Sequence, residues 1–332
     1  MASQLSSLAL AVVAAALAAP SGAAGAAPVR LNSSLVRLIE WNVYWGALDD
    51  SHGRLALASA LDAAAPSDFV VVVEAEGDTP AGSLESWSST SAFMSSLAQL
   101  NHRSRHETIA VFHDPILWLP TYHAAGEFEP GRPWLLVRFQ RANTQTFLWV
   151  CAVHLPHFLD AKGPPPGETL AGALRAAANA TGGALTPESN LILAGDWNEY
   201  EWEDNGCRKP YYPPDCRKQA AAKMAPLWHG WLQGTAVDVV PNHTITCCTK
   251  WAPKDRHTTD YHEWSFEYDH VFVAGKGIDA TASSAALIPY TYPGTAAQCA
   301  DPACTGEDPP SNVTALHQGA WHRGWMAQVA LK

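Results

Sequence analysis

Apolar runs of five to ten residues recur along the chain. They are "LVRLIEWNV" (35–43), "DFVVVVEAE" (68–76), "TIAVFHD" (108–114), "WLLVRF" (134–139), "TFLWVCAVHL" (146–155), "NLILAGDWN" (190–198), "YDHVFVAG" (268–275) and "WMAQVAL" (325–331). Each is rich in Val, Ile, Leu and aromatic residues and is closed off by polar or Gly/Pro stretches, which predicts strands. Several are apolar throughout instead of alternating, as strands covered on both faces are. Between them, Leu55, Leu57, Ala58 and Leu61 mark one face of a helix over 53–64. Residues 88–100, 168–180 and 217–233 read as further helices. Three consecutive strands over 108–155 break strict alternation, so the pattern predicts mixed sheets with helices outside. Segments 200–216 and 289–319, rich in Pro, Cys and Asn, read as long surface insertions.

The polar residues concentrate where these strands end. Asn42 follows "LIEW", Glu74 ends "FVVVV", His154 ends "FLWVCAV", and Asp196 and Asn198 end "LILAG". Asp269 opens "HVFVAG" and His322 precedes the last strand. Taken singly, each fits a turn former or a cap. Together, strand ends on packed sheets can converge on one rim, where sites are commonly built. The inventory suits phosphate-ester chemistry. Carboxylates and amide oxygens are hard ligands for a divalent cation, and histidines and asparagines can move a proton or hold an oxyanion. Trp197, between Asp196 and Asn198, points the opposite way, into packing.

Composition narrows the partners. The 332 residues carry a formal net charge of -11, so no basic surface of the kind that neutralises nucleic-acid phosphates is evident. A bound cation can still invert the local field around a phosphate substrate. The leader "MASQLSSLALAVVAAALAAPSGAAGAAPVR" has an apolar run too short to span a bilayer, followed by small residues. Residues 1–26 are therefore expected to be a secretory signal peptide and 27–332 a single domain. Sequons at Asn32, Asn179, Asn242 and Asn312 agree with a secreted, extracellular glycoprotein. The 7 cysteines show no metal spacing. Cys207 with Cys216 and Cys299 with Cys304 flank short loops as disulfides would, and Cys151 reads as a buried free thiol.

In order, the pieces "EWNV", "VVVEAE", "VCAVHL", "GDWN", "EYDHVFVAG" and "AWHRGW" resemble the motifs of the endonuclease/exonuclease/phosphatase superfamily, with a deoxyribonuclease I-like flavour in "HETIAVFHDP" and "YDHVFVAG". The resemblance implies an α/β four-layer sandwich, two mixed β-sheets packed face to face with helices on the outside. It implies that Glu74 and Asn42 hold the metal, Mg2+ with Mn2+ or Ca2+ as alternatives. Asp196 and Asn198 would position water and the scissile phosphate, Asp269 would orient His322 as general base, and Glu107 would steady His154 as a donor. Two positions depart from the family pattern. Trp321 stands where the terminal Ser-Asp-His motif has Asp, and Val73 replaces the usual Gln before the strand-end Glu.

The resemblance thus implies a secreted metal-dependent phosphoesterase that uses His-activated water on a phosphate-ester substrate. The substrate is a nucleic acid, a lipid headgroup or a small phosphate compound, with a nuclease-like phosphodiesterase favoured. A phosphomonoesterase or a sphingomyelinase-like lipid phosphodiesterase is the nearest alternative. A catalytically weakened member acting as a binding protein is the alternative of another class. A monomer is expected, without a stable nucleic-acid complex.

Overall fold

The computed structural model describes residues 34–42, 67–74, 95–101, 108–157, 162–198, 215–241, 246, 268–288 and 324–332. Its strands are β1 (Leu35–Asn42), β2 (Phe69–Val73), β3 (Ser95–Asn101), β4 (Thr108–His113), β5 (Trp118–Glu129), β6 (Arg132–Arg141), β7 (Phe147–His154), β8 (Leu191–Asp196), β9 (Val237–Asp238), β10 (Asp269–Ala274), β11 (Ile278–Leu287) and β12 (Trp325–Leu331). They form two six-stranded sheets, A in the order β11-β12-β1-β2-β4-β3 and B in the order β5-β6-β7-β8-β10-β9. Each sheet has one parallel pair at its centre, β1 with β2 and β7 with β8. The ladders that flank these pairs are antiparallel. Both sheets are therefore mixed, as the strand pattern implies.

The sheets pack face to face. Val36 and Leu38 of β1, Phe69, Val71 and Val73 of β2, and Leu148, Val150 and Ala152 of β7 share one buried cluster with Ile192, Ala194, Val271 and Val273. The alternate residues of sheet B (Trp149, Cys151, Val153, Leu191, Leu193 and Phe272) face outward into a second cluster. Helices α1 (Pro166–Ala180) and α2 (Cys216–Ala225) cover it, followed by one π-helical turn, Pro226–Trp231. Leu170, Leu174 and Ala177 of α1 and Met224 of α2 meet the sheet there. Strands β7 and β8 are thus buried on both sides, which is why they read as unbroken apolar runs. Cys151 lies in this outer cluster as a buried free thiol, its pKa pushed up to about 12 by burial.

Three expectations change. The C-terminal half of the 88–100 helix is instead β3, paired to β4 at the sheet edge; tertiary pairing overrides its helical spacing. The stretch 108–155 holds four strands, because β5 is an edge strand that carries Pro120 and has half of its positions exposed. Proline is tolerated on such an edge, but it hides the strand from a search for apolar runs. Edge strand β11, built of small residues with alternating exposure, escaped for the same reason. The helix expected over 53–64 lies outside the described residues, as do most of the two insertions and Cys207, Cys247, Cys248, Cys299 and Cys304.

Candidate active site at the strand ends

The period of two that builds the inter-sheet core also aims the site. On β7 the inward series Leu148, Val150, Ala152 continues to His154. On β8 Ile192 and Ala194 continue to Asp196, and on β10 Val273 and Val271 lead to Asp269. On β1 Val36 and Leu38 continue to Glu40 and Asn42. His154 and Asp196 are register partners, and Asp196 is in turn the partner of Asp269. The core therefore turns from apolar to polar at one end, at the carboxyl ends of both parallel pairs, where open α/β sheets commonly place ligands.

These side chains meet. Asn42 Nδ2 donates to Asp196 Oδ2 at 2.8 Å and to Glu74 Oε1 at 3.2 Å, joining the two sheets. His154 Nε2 lies 3.4 Å from Glu74 Oε1 and 3.7 Å from Asp196 Oδ2. Glu74, His154 and Asp196 together offer ligand atoms that all lie within 4.8 Å of one another. That spacing and donor set suit a divalent cation with oxygen and imidazole ligands. Asn198 closes the corner. Its backbone N–H donates to Asp196 Oδ1 at 2.8 Å, and its Nδ2 donates to the Leu155 carbonyl at 2.6 Å. Asp269 is fully buried; its N–H donates to Thr246 Oγ1 at 3.1 Å, and Trp325 Nε1 donates to its carbonyl at 2.8 Å.

Local backbone explains the motif around Asp196. Gly195 has φ +143°, and a Cβ there would lie 2.0 Å from the Val153 carbonyl oxygen. Only glycine lets β7 and β8 approach this closely before both strands end in site residues. Glu74 and Asn198 both sit in the left-handed region, with φ 54° and 48°. Asn tolerates it, whereas Glu holds it at a cost of about 1 kcal/mol or more. Trp197 faces away, fully buried, its ring 5.4 Å from Trp228 at 26° and edge-on to Phe272.

Two members of the expected site, Glu107 and His322, lie outside the described residues. The remaining six, Asn42, Glu74, His154, Asp196, Asn198 and Asp269, converge on the rim. Arg132 was missed. At the start of β6 its guanidinium Nη1 meets His154 at Nδ1, 3.3 Å away, and also at Nε2. A guanidinium only donates, and a neutral imidazole has one acceptor nitrogen, so only one of the two ring nitrogens accepts from it. The signal was present in the sequence, since Arg132 is also a polar residue at a strand end. Reading that run from Trp134 passed over it. Glu40, one step deeper on β1, was missed too. Its carboxyl is pushed well above the usual range, first by burial and then by the charges of Asp269 and Asp196.

No family model matches this chain, and no curated protein does. Solved structures do. The chain has the fold of the endonuclease/exonuclease/phosphatase proteins, as its ordered motifs imply. Such a family protein from Bacteroides vulgatus is similar over 90% of this chain and 99% of its own, with 12% identity and a TM-score of 0.53. The human Nocturnin catalytic domain with bound sulfate matches 90% of this chain and 94% of its own, at 10% identity and a TM-score of 0.52. The D. rerio TDP2 complexed with a single-strand DNA product matches over 90% and 99%, at 14% identity and a TM-score of 0.51.

Proposed function

We propose that the protein is a metal-dependent phosphoesterase that cleaves a phosphodiester with water. The observation that carries this reading is the cluster of Glu74, His154 and Asp196, stitched by Asn42 across the two sheets at the end of the inter-sheet core. Glu74, His154 and Asp196 would hold the cation. Asn42 would join them if its amide turned to present the oxygen. Mg2+ is the expected metal. A divalent ion bound there supplies charge that offsets the negative oxygens of the phosphoryl transition state.

The chain's own residues do the rest. Asp196, fixed by Asn198 and Asn42, orients the attacking water. The Asn198 side chain, held by the Leu155 carbonyl, sets the geometry of that corner. Arg132 brings a cation beside His154 and neutralises a phosphate oxygen. His322, oriented by Asp269, takes the proton of the water as it attacks phosphorus in line. The bond to the leaving alcohol breaks, and solvent water returns a proton to that oxygen.

A nucleic-acid phosphodiester is the favoured substrate class, with a lipid headgroup diester next. The solved TDP2 carries single-strand DNA product, which agrees with the first choice. Export, with cleavage of a leader over 1–26, glycans on the sequons and stapling of Cys207 to Cys216, belongs to the same proposal. The test is purified full chain assayed on DNA, RNA, sphingomyelin, inositol phosphates and a p-nitrophenyl phosphodiester with magnesium, manganese or calcium. Hydrolysis is expected, and Glu74→Ala and His322→Ala each abolish it without unfolding the chain. No turnover on any substrate with any of the three metals would overturn the reading in favour of a binding protein on the same fold.

A further inference from the structure

The sandwich has a second polar end. Strand β7 runs from Phe147 to His154, so its amino end lies about 23 Å from the cluster described above. There a cavity of about 430 Å3 opens between the ends of the two sheets. Ser34 and Lys332 line it from the side of sheet A, and Arg141, Gln145, Thr146 and Asn190 from the side of sheet B. Among the described residues of its wall, two side chains are cationic and none is acidic. That reverses the balance of a chain with 32 acidic and 21 basic side chains. It also reverses the character of the opposite end, where Glu74 and Asp196 stand together.

The wall is held in place. Arg141 is 8% exposed, and its guanidinium carbon lies 5.7 Å from the centre of the Trp118 ring. The turn after it is closed by the Arg141 N–H, which donates to the Thr146 carbonyl at 2.9 Å, and by Gln140 Nε2, which donates to the Thr144 carbonyl at 2.8 Å. Asn190 is fixed from two sides, its Nδ2 donating to the Phe147 carbonyl at 3.4 Å and its Oδ1 accepting from the Gly277 N–H at 2.9 Å. The acids nearby are engaged elsewhere. Asp68 is within reach of the Arg141 charge, but its Oδ1 accepts from Trp118 Nε1 at 2.9 Å and its Oδ2 from the Arg37 N–H at 2.8 Å. Asp279, near Lys332, accepts from the Thr281 hydroxyl at 2.7 Å and N–H at 3.1 Å.

We propose that this cavity is a second ligand site, for a small phosphate-bearing anion. It stands apart from the phosphoesterase reading and does not depend on it. Burying a guanidinium costs free energy, and an anion beside it returns part of that cost. The planar fork of Arg141 matches two oxygens of a phosphate, and Lys332 adds a point charge from the other sheet. Gln145, Thr146 and Ser34 surround the pair with neutral donors, which suits a tetrahedral group whose oxygens point several ways. Small-molecule pockets measure roughly 300–1,000 Å3. The cavity therefore has room for a phosphomonoester with a small organic body as well as for orthophosphate.

The experiment titrates the full chain calorimetrically, without metal and at low ionic strength, with orthophosphate, glycerol phosphate and acetate. The titrations are repeated on Lys332→Gln, Gln145→Glu, Arg141→Gln and Arg132→Met. Both phosphates are expected to bind the parent, and acetate about tenfold more weakly. Lys332→Gln should weaken phosphate binding by about threefold or more, and Gln145→Glu, which puts an acid on an exposed turn, by about tenfold. Arg132→Met, at the other end of the sandwich, should stay within about twofold. Arg141 is buried, so Arg141→Gln is scored only if it melts with the parent; it should then lose about tenfold or more. Tighter binding of glycerol phosphate assigns the site to a phosphomonoester and equal affinity to the phosphate group alone, and either sustains the proposal. No binding of either phosphate overturns it. So does affinity that Lys332→Gln and Gln145→Glu leave unchanged. Loss confined to Arg132→Met overturns it as well, because the anion would then sit at the strand-end cluster. Acetate binding equal to phosphate binding would mark an adventitious ion only.

Discussion

Replacing Gly195 with alanine adds one methyl group where the two central strands of sheet B are closest. The new Cβ would lie 2.0 Å from the Val153 carbonyl oxygen and 3.0 Å from the Val153 backbone N and C. Those are backbone atoms of the register partner, so no side-chain rotation relieves the clash. Two costs add. Holding a non-glycine residue at φ +143° costs about 1–3 kcal/mol, and overpacking a rigid contact costs about 1–3 kcal/mol more. The sum, about 2–6 kcal/mol, is a large fraction of the stability of an ordinary domain. At about 2 °C per kcal/mol for a chain of this size, the melting temperature should drop by roughly 4–12 °C. Because His154 and Asp196 directly follow Val153 and Gly195, strands forced apart also separate these two side chains. Turnover measured well below the melting transition should therefore drop by more than the folded fraction does. Gly172→Ala is the control. Nothing lies within 4 Å of its new methyl group in α1, and it should gain about 0.5–1 kcal/mol. Urea unfolding of both variants decides. A Gly195→Ala loss below about 1 kcal/mol would refute the close-approach argument.

Other outcomes follow from the same geometry. Trp197→Ala removes a fully buried ring from the stack with Trp228 and should cost about 3–5 kcal/mol in denaturant unfolding; a near-neutral result would place the ring outside the core. Arg132→Met should lower kcat/KM for a phosphodiester by about a hundredfold, with Arg132→Lys recovering only part, because a point charge cannot reproduce the planar fork. Equal activity of Arg132→Met and the parent removes Arg132 from the site. Burial holds the His113 imidazole below its ordinary pKa. The unfolded chain therefore takes up that proton first, so this contribution to stability is intact above the ordinary value near 6.5 and is lost as pH falls through the depressed folded one. His113→Phe should flatten the stability curve between neutral and mildly acidic pH, and an unchanged slope would show that another group controls it.

Much of this site was legible because a strand has a period of two. Once "FLWVCAVH" and "LILAGD" are read as strands, His154 and Asp196 inherit the direction of Ala152 and Ala194, and no contact information is needed to know which face they share. The order of the motifs then pairs the strands. What stayed hidden has specific causes. Strand β5 carries Pro120 and exposed residues, β11 carries small ones, and neither makes an apolar run. The C-terminal half of the helix expected over 88–100 gives way to β3 because pairing with β4 outweighs local spacing. Arg132 joins the site only through sheet pairing between β6 and β7. The strain at Glu74 is invisible in the sequence, for glutamate carries no mark of a left-handed backbone. Glu40 was written in "LIEWN", but its single charged letter looks like a surface residue until both sheets are seen to bury it.

Sheet B draws all its strands from one continuous stretch, Trp118 to Ala274, whereas sheet A takes β1 to β4 from before it and β11 and β12 from after it. Strand β12 lies between β11 and β1, so the strand that carries Asn42 lacks one flank until β12 has been made. On a ribosome, the strands of sheet B can therefore pair before β1 has both its neighbours. A chain wired in this way completes the flank of the Asn42 corner only once β12 has been made.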